Sequence, residues 1–244
     1  MTSTELYLNP TAITNPLTAW AFAFRAAMAY VRTTVPVQVI AVHGGGLAPV
    51  GRVDVQPLIQ QTDSAGNVMA LPVLYGLPYL RWQGGASAVI LDPAVNDIGL
   101  VCFADRDVSA VIASGKQSAP GSNRRFSLAD GFYMGATLNA EPTQYLQFDP
   151  DSGITLNSPK TITEQIGTDS DAARVVMNSS GIVLSFGGHS ITINSSGIAV
   201  SGAQINDSTI TATGEVTGNN VKLSTHPHSG VTSGSSNSGP PVPG

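Results

Sequence analysis

Two histidines near the C-terminus, His226 and His228, are separated only by Pro227. In an extended strand, residues i and i+2 face the same side, so both imidazoles can be directed at one point. One chain supplies two ligands, but three chains around a threefold axis would supply six. Six imidazoles in an octahedron favour iron, with nickel, cobalt or zinc as competitors. The pair therefore predicts a metal ion shared by three chain ends.

Two features argue against a catalytic role for this ion. No carboxylate lies near His226 and His228 in the sequence to complete a hydrolytic site. A catalytic zinc needs three protein ligands and an open position for water, whereas threefold symmetry gives a closed shell. The predicted ion is structural. An isolated pair of histidines is also common on exposed strands, so the metal hypothesis depends on evidence for a trimer.

Other residues with chemical potential give no catalytic pattern. The cluster Asp105–Asp107 follows an apolar run and is typical of a salt-bridged turn. The run Gly44–Gly46 lacks the Lys-Ser/Thr of a phosphate-binding loop. His43 is predicted to be solvated at a strand end. His189 is predicted to be exposed, with a position facing the threefold axis as the alternative. We expect no enzymatic activity.

Composition limits the partners and the compartment. Only 11% of residues are charged, against about 25% in an average protein, and the net charge is −5. This charge gives no basic footprint, so we expect no nucleic-acid partner. The single cysteine, Cys102, allows no intrachain disulfide and is predicted to be buried and inert. Because signal and transmembrane segments are lacking, we expect synthesis in the cytoplasm and a soluble chain unless it is delivered elsewhere.

Residues 1–33 are predicted to form an arm and one helix. Asn15 can cap the helix, and Pro16 occupies the favoured first helical position. Apolar residues then recur at spacings of three and four, which marks one face. We favour packing of this face on its own domain; the alternative is docking on a neighbouring subunit. The apolar positions are Leu17, Trp20, Phe24, Met28 and Val31.

Residues 34–140 are predicted to form a small closed β-barrel, with an OB-type barrel as the preferred form. The loop Ser114–Ser127 carries Lys116, Arg124 and Arg125 and is expected to project from the barrel. The strands are expected at Val37–His43, Gly51–Leu58, Val68–Leu74, Ala86–Leu91, Gly99–Phe103 and Phe132–Thr137.

Residues 141–223 repeat a short pattern of strand and turn. Asn178–Ile182 returns sixteen residues later as Asn194–Ile198, and Asp151–Ile154 is a looser copy. Apolar residues alternate with polar ones, as at Ile182, Leu184 and Phe186 and at Ile210 and Ala212. One chain could bury little of this thin apolar face, whereas three intertwined chains could turn it inward. We predict a trimeric β-helix, with a flexible Ser/Gly linker as the alternative. Residues 224–244 would form its apex.

The chain resembles the central spike, or baseplate assembly protein, of contractile-tailed phages. The resemblance rests on Asp97–Val101 leading through Phe103 to Asp105–Asp107, on Phe126–Gly131, on the repeats, on Thr225–Gly230 and on Gly239–Pro241. It implies an all-β homotrimer in the virion, with an OB-fold collar in the baseplate at the tail tube and a β-helix ending in a pointed apex. It also implies one iron ion per trimer, held by His226 and His228 of each chain.

In that family, sheath contraction drives the spike through the host outer membrane, and the resemblance implies this function here. The alternative is a receptor-binding or glycan-binding tail fibre. Such a binder should expose aromatic residues near its distal end, and none follows Phe186. An envelope-degrading enzyme is the weakest alternative, because no catalytic constellation was found.

Overall fold

The computed structural model describes residues 15–62, 66–202, 212–226, 230 and 234. The fold is mostly β, with few helices. The chain divides into two compact units, the first ending at Pro142 and the second beginning at Thr143. In the described residues, neither α-helix has the length and apolar character that membrane crossing requires.

Helix α1, Pro16–Met28, begins where the sequence predicted. The Asn15 side chain accepts a hydrogen bond from the Leu17 N–H at 2.9 Å, which satisfies one of the free donors of the first turn. The apolar face is not covered, because Leu17, Trp20, Phe24 and Met28 are 49% to 80% exposed. Packing of this face on its own domain, the favoured interpretation, is therefore wrong for the described chain.

Five strands of the first unit form one antiparallel sheet in the order β5-β2-β1-β8-β9. Strand β1 lies at its centre and pairs with β2 and β8. The strands of this unit are β1 Thr34–His43, β2 Arg52–Pro57, β3 Gln61–Thr62, β4 Val68–Met69, β5 Leu74–Pro78, β6 Trp82–Gly84, β7 Ser87–Val89, β8 Ile98–Phe103 and β9 Gly131–Ala136, with helix α2 at Ser109–Ser114 and a 3₁₀ turn at Leu128–Asp130.

The sheet curls until its two edges meet. Tyr79, just beyond β5, pairs with Tyr133 of β9, and the Leu80 N–H donates to the Tyr133 carbonyl at 2.8 Å. Side chains at alternate positions of each strand point inward and form the core. The fully buried valines of that core are Val37, Val39, Val53, Val55 and Val101.

Four of the six expected strands are confirmed, as β1, β2, β8 and β9, with small shifts of their ends. The expected strand Val68–Leu74 is wrong, because pairing stops at Met69 and β5 starts only at Leu74. Pro72 interrupts this run, since it has no N–H to donate and restricts the residue before it. The expected strand Ala86–Leu91 is reduced to β7, and its partner β6 was not predicted.

The loop before β9 is held against the curled sheet of the first unit rather than projecting from it. The Arg124 guanidinium lies 2.8 Å from the Asp107 carboxylate and 2.7 Å from that of Asp130. Both acids are buried. Hydrogen bonds from Ser109 and Ser122, together with the charge of Arg124, lower the pKa of Asp107 to about 2. The expectation of a projecting loop is therefore wrong at Arg124.

The second unit contains a hairpin and a five-stranded antiparallel meander, in which each strand pairs with the next along the chain. A short hairpin with two residues in each strand follows nearer the C-terminus. The strands are β10 Tyr145–Asp149, β11 Gly153–Asn157, β12 Ile162–Gln165, β13 Arg174–Asn178, β14 Gly181–Phe186, β15 His189–Asn194, β16 Gly197–Ser201, β17 Thr217–Gly218 and β18 Val221–Lys222.

The predicted repeats of strand and turn are confirmed. The Asn178 side chain accepts from the Ser180 N–H and the Asn194 side chain from the Ser196 N–H, each at 2.8 Å. The glycine that ends each of these two turns has a positive φ, which only glycine adopts readily. The same four-letter pattern therefore builds the same turn twice. Ile210 of the predicted alternation lies outside the described residues.

The contacts of Asp107 with Ser109, Ser122 and Arg124 predict how the stability of the first unit depends on pH. Because the pKa of Asp107 is lower in the folded chain than the ordinary 3.8, its charge stabilises the first unit above about pH 4. That contribution is lost as the pH falls toward 2. Asp107→Asn should lower the urea midpoint at pH 7 and make its decline between about pH 4 and 2 shallower. Trp82 fluorescence in a Trp20→Phe background would report the unfolding.

Asp105→Asn is the matched control, because Asp105 is a neighbouring carboxylate whose side chain is mostly exposed. It should leave the neutral-pH midpoint nearly unchanged. If the urea midpoints of Asp107→Asn and of the parent declined in parallel from pH 7 to 2, Asp107 would not be the source of this pH dependence.

Candidate functional site

One face of the meander carries two rows of apolar side chains. Residues paired across antiparallel strands point to the same side, so the register places each row on one face. We call this surface the apolar face. Its first row is Ile162, Met177, Ile182, Ile193 and Ile198, and its second is Val175, Leu184, Ile191 and Val200.

On strands β14 and β15 the apolar face is the more exposed side of the sheet. Along β14, Ile182, Leu184 and Phe186 are exposed, while Val183 and Ser185 between them are half-buried. On β16, Ile198 is 71% exposed. A sheet that folded alone would turn its larger apolar side chains toward a core, since burial stabilises by about 25 cal/mol per Å² of apolar surface. No other described residue reduces this exposure, and an exposed apolar surface of this kind is typical of an interaction surface.

The hairpin β10–β11 has the same property. Leu146 pairs with Leu156, and Phe148 pairs with Ile154, so the four side chains lie on one side of the hairpin. All four are exposed. A contiguous apolar patch of this kind is typical of an interaction surface.

The hairpin β17–β18 directly precedes the residues predicted to form the apex. Its two turn residues, Asn219 and Asn220, both have positive φ, at 47° and 66°. Such turns match the twist of the flanking strands, and asparagine tolerates them better than most residues do. The Asn-Asn pair was a signal in the sequence that the prediction of the shaft overlooked.

A carboxylate fastens the end of this hairpin. Glu215 accepts hydrogen bonds from the Ser224 hydroxyl and from the Ser224 N–H. These two bonds lower the pKa of Glu215. The Leu223 N–H also donates to the Val216 carbonyl at 2.8 Å. Together these contacts fix the backbone immediately before His226.

His226 is held by its Nδ1 atom. This atom lies 3.0 Å from the Lys222 carbonyl oxygen and 2.9 Å from the Leu223 carbonyl oxygen. A carbonyl can only accept, so Nδ1 must carry the proton, and in the neutral ring the lone pair is then on Nε2. A histidine fixed by Nδ1–H to a backbone carbonyl is a common arrangement for a metal ligand. The donor chemistry of His226 therefore fits a metal.

The second predicted ligand, His228, lies outside the described residues. Within the described part of the chain, no three histidine, cysteine, aspartate or glutamate side chains come together as a metal-binding group. Any site built on His226 would therefore need ligands beyond these residues. This requirement agrees with the prediction from the sequence, in which His226 and His228 of three chains share one metal ion.

The other histidines, the cysteine and the Asp105–Asp107 cluster belong to other elements of the chain. His43 Nε2 is 2.9 Å from the Asp54 carboxylate, whose pKa this contact lowers, and the His43 side chain remains largely exposed. His189 is exposed, as predicted. Cys102 is half-buried rather than buried, and its sulfur lies 3.5 Å from the Thr34 hydroxyl. Asp105 pairs weakly with Arg106 at 3.9 Å.

Two families match separate parts of the chain. The phage protein Gp138 N-terminal domain matches residues 47–135, which include most of the curled sheet. The GpV Apex motif matches residues 220–242, which include His226 and His228. No curated protein matches the chain. Together the two matches indicate that this chain is a phage baseplate or spike protein of the GpV-like kind.

Proposed function

We propose that this protein is the central, membrane-piercing spike at the tip of a contractile phage tail. In this proposal three chains form a homotrimer, with the first unit as an OB-type collar in the baseplate and the second unit as an intertwined β-helical shaft. One iron ion closes the apex. Sheath contraction supplies the work and drives the trimer through the host outer membrane. The role is mechanical, without enzymatic activity.

The exposed apolar face is the observation that carries the trimer. Rows of five and four apolar side chains run across the paired strands, and their members on β14, β15 and β16 are exposed in the single chain. Three copies wound around an axis would bury the rows against one another and leave the serine- and threonine-rich side for solvent. A regular, repeated β-structure of this kind gains stability from each added repeat.

The OB-type collar is supported by the topology of the first unit. Its five main strands pair in one curled antiparallel sheet, and the β5 and β9 edges meet at Tyr79 and Tyr133. An OB-fold is a five-stranded, partly open barrel. The match of residues 47–135 to a phage protein N-terminal domain supports a position for this unit in the tail.

The metal proposal rests on His226 and on the matched apex motif. The His226 Nδ1 atom faces two carbonyl oxygens, so in this proposal the ring would bind the metal through Nε2. With His228, each chain would offer two imidazoles and the trimer six, a set that suits an octahedral first-row metal, for which we propose iron. An ion held this way would cross-link three chain ends at the point of the spike.

The trimer predicts a mass of about 75 kDa, three chains of 25.1 kDa each, in light scattering of the purified protein. Ile198→Asp should reduce this mass to that of one chain, because it places a charge in the buried row. The residue is already 71% exposed in the single chain, so the fold itself should tolerate the change.

The neighbouring residue provides the control. Ala199 lies on the same strand but on the opposite side of the sheet, so Ala199→Asp should remain trimeric. A monomeric parent, or equal masses for the two variants, would contradict the assignment of the interface.

The metal site predicts an iron content close to one ion per trimer for protein purified without a histidine tag. His226→Ala combined with His228→Ala should remove the iron, because each chain then lacks both ligands. His189→Ala is the control, since it removes an exposed imidazole from the meander and should retain the metal. Elemental analysis gives the ratio, and equal iron in all three proteins would exclude this site.

Phage particles that carry the same double variant would separate puncturing from receptor binding. Adsorption is measured as loss of free phage, and penetration as access of an external chromogenic substrate to a periplasmic enzyme. A piercing apex predicts normal adsorption with reduced penetration. A fall in adsorption itself would instead support the receptor-binding tail fibre.

A further inference from the structure

Helix α1 has an uncovered apolar side and lies outside both family matches. It ends at Met28, before the first match begins at residue 47. Leu17, Trp20 and Phe24 are 80%, 78% and 64% exposed, and no residue of the helix is buried. A helix of 13 residues is at the lower limit of what is stable alone in water. A cover over the apolar side would therefore stabilise the helix itself.

The spacing of the apolar side chains is that of a helix which packs against other helices. Leu17 and Phe24 are seven residues apart, and Trp20 and Ala27 follow them by three residues each. In a heptad lettered a to g, the first pair then occupies position a and the second pair position d. These two positions form the seam of a coiled coil. The only charged residue of the helix, Arg25, falls at position b and so lies outside the seam.

The surface of α1 also carries a hole of the kind that receives a side chain from another helix. A depression on its exposed side is lined by Leu17, Trp20, Ala21 and Phe24, with Pro16 at one end. The first four of these residues stand at i, i+3, i+4 and i+7, which is the set that forms a hole in knobs-into-holes packing. Because Ala21 has a small side chain, the hole has room for a large one. The geometry therefore selects a helix as the partner.

The described residues offer no second helix of suitable length within the same chain. The other α-helix, α2, has only the six residues Ser109–Ser114. Another stripe of α1, formed by Ala19, Phe22 and Ala26, is already half-buried, so it is the seam that lacks cover. A helix with a matching seam is present in every other copy of the chain.

The size of the uncovered side limits the contact that it can make. A large aromatic side chain presents about 150 to 250 Å², so Trp20 and Phe24 expose roughly 300 Å² between them. A stable interface between two proteins buries about 800 Å² on each partner. The side of α1 is therefore too small to bring separate chains together, but it can close between chains that another contact already holds.

We propose that the three α1 helices of the trimer pack as a parallel bundle, in which Trp20 of each copy inserts into the hole of the next. Rotation about a threefold axis keeps the helices parallel and in register, so residues at position d meet residues at position d. A contact from each copy to the next then closes into a ring after three copies. The bundle rests on the proposed trimer and adds a second interface to it, and it does not depend on the metal.

Cysteine cross-linking tests the bundle in the full chain. Cys102→Ser first removes the only native cysteine. Ala27→Cys then places a thiol at position d. Ala29→Cys is the matched control, because it replaces an equally exposed class of alanine two residues further on, about half a turn away from the seam. A short bismaleimide should join two Ala27→Cys chains into a covalent dimer on a denaturing gel, and this product should be lost in Ala29→Cys.

Light scattering on the same samples separates this proposal from that of the spike. A protein with the mass of three chains but no cross-link at position 27, or with equal cross-linking at positions 27 and 29, would overturn the bundle and leave the spike proposal in place. A mass of one chain would overturn both.

A second readout uses no new cysteine. Trp82→Phe leaves Trp20 as the sole tryptophan of two. Acrylamide should quench Trp20 fluorescence less in the folded protein than in protein unfolded in urea, because the neighbouring helix covers the indole. Equal quenching in a protein with the mass of three chains would also exclude the bundle.

Discussion

The second unit depends on one constraint, which is that a single chain cannot bury the apolar rows of its own meander. The strands pair well with one another, and the turns between them are fixed by Asn178 and Asn194, but pairing within one sheet covers only edges. The aliphatic side chains of Ile182, Leu184 and Ile198 remain in water. In the proposed spike this burial comes from association, because the repetition of the strands lets identical copies cover one another.

The first unit meets the same physical requirement within one chain. Its curled sheet places Val37, Val39, Val53 and Val55 in a closed core, and the Arg124 guanidinium compensates two buried carboxylates. A buried ion pair of this kind contributes less to stability than to the arrangement of the loop that carries it. The first unit thus buries its apolar side chains within one chain, whereas in the proposed spike the second unit buries them against other copies. This difference agrees with the division of labour in the proposed spike, where one unit is anchored and the other is wound with its copies.

Local chemistry explains what could be predicted from the sequence. Asn15 and Pro16 define the start of α1, the Asn-Ser-Ser-Gly repeats define two turns, and alternating valines define β1 and β2. Each of these signals acts within a few residues. Strand β5 was missed because Gly76 and Pro78 are typical of turns, and its pairing with β2 is a long-range contact.

Features set by tertiary contacts were not predictable. No pattern near Arg124 indicates that it folds back onto Asp107 and Asp130, and the uncovered state of the α1 face is a property of the whole unit. At the apex, the spacing of the histidines suggested the ligands, but the Nδ1 contacts that fix the His226 tautomer involve Lys222 and Leu223 carbonyls. Every residue has a backbone carbonyl, so residue types do not show which carbonyl a side chain will contact.

Native mass spectrometry of the full chain, purified without a histidine tag, tests the central claim most directly, because it reports chain number and bound metal in one measurement. The account predicts a single species of three chains with one iron ion. A single chain without metal, or a trimer whose mass equals that of three chains alone, would contradict it.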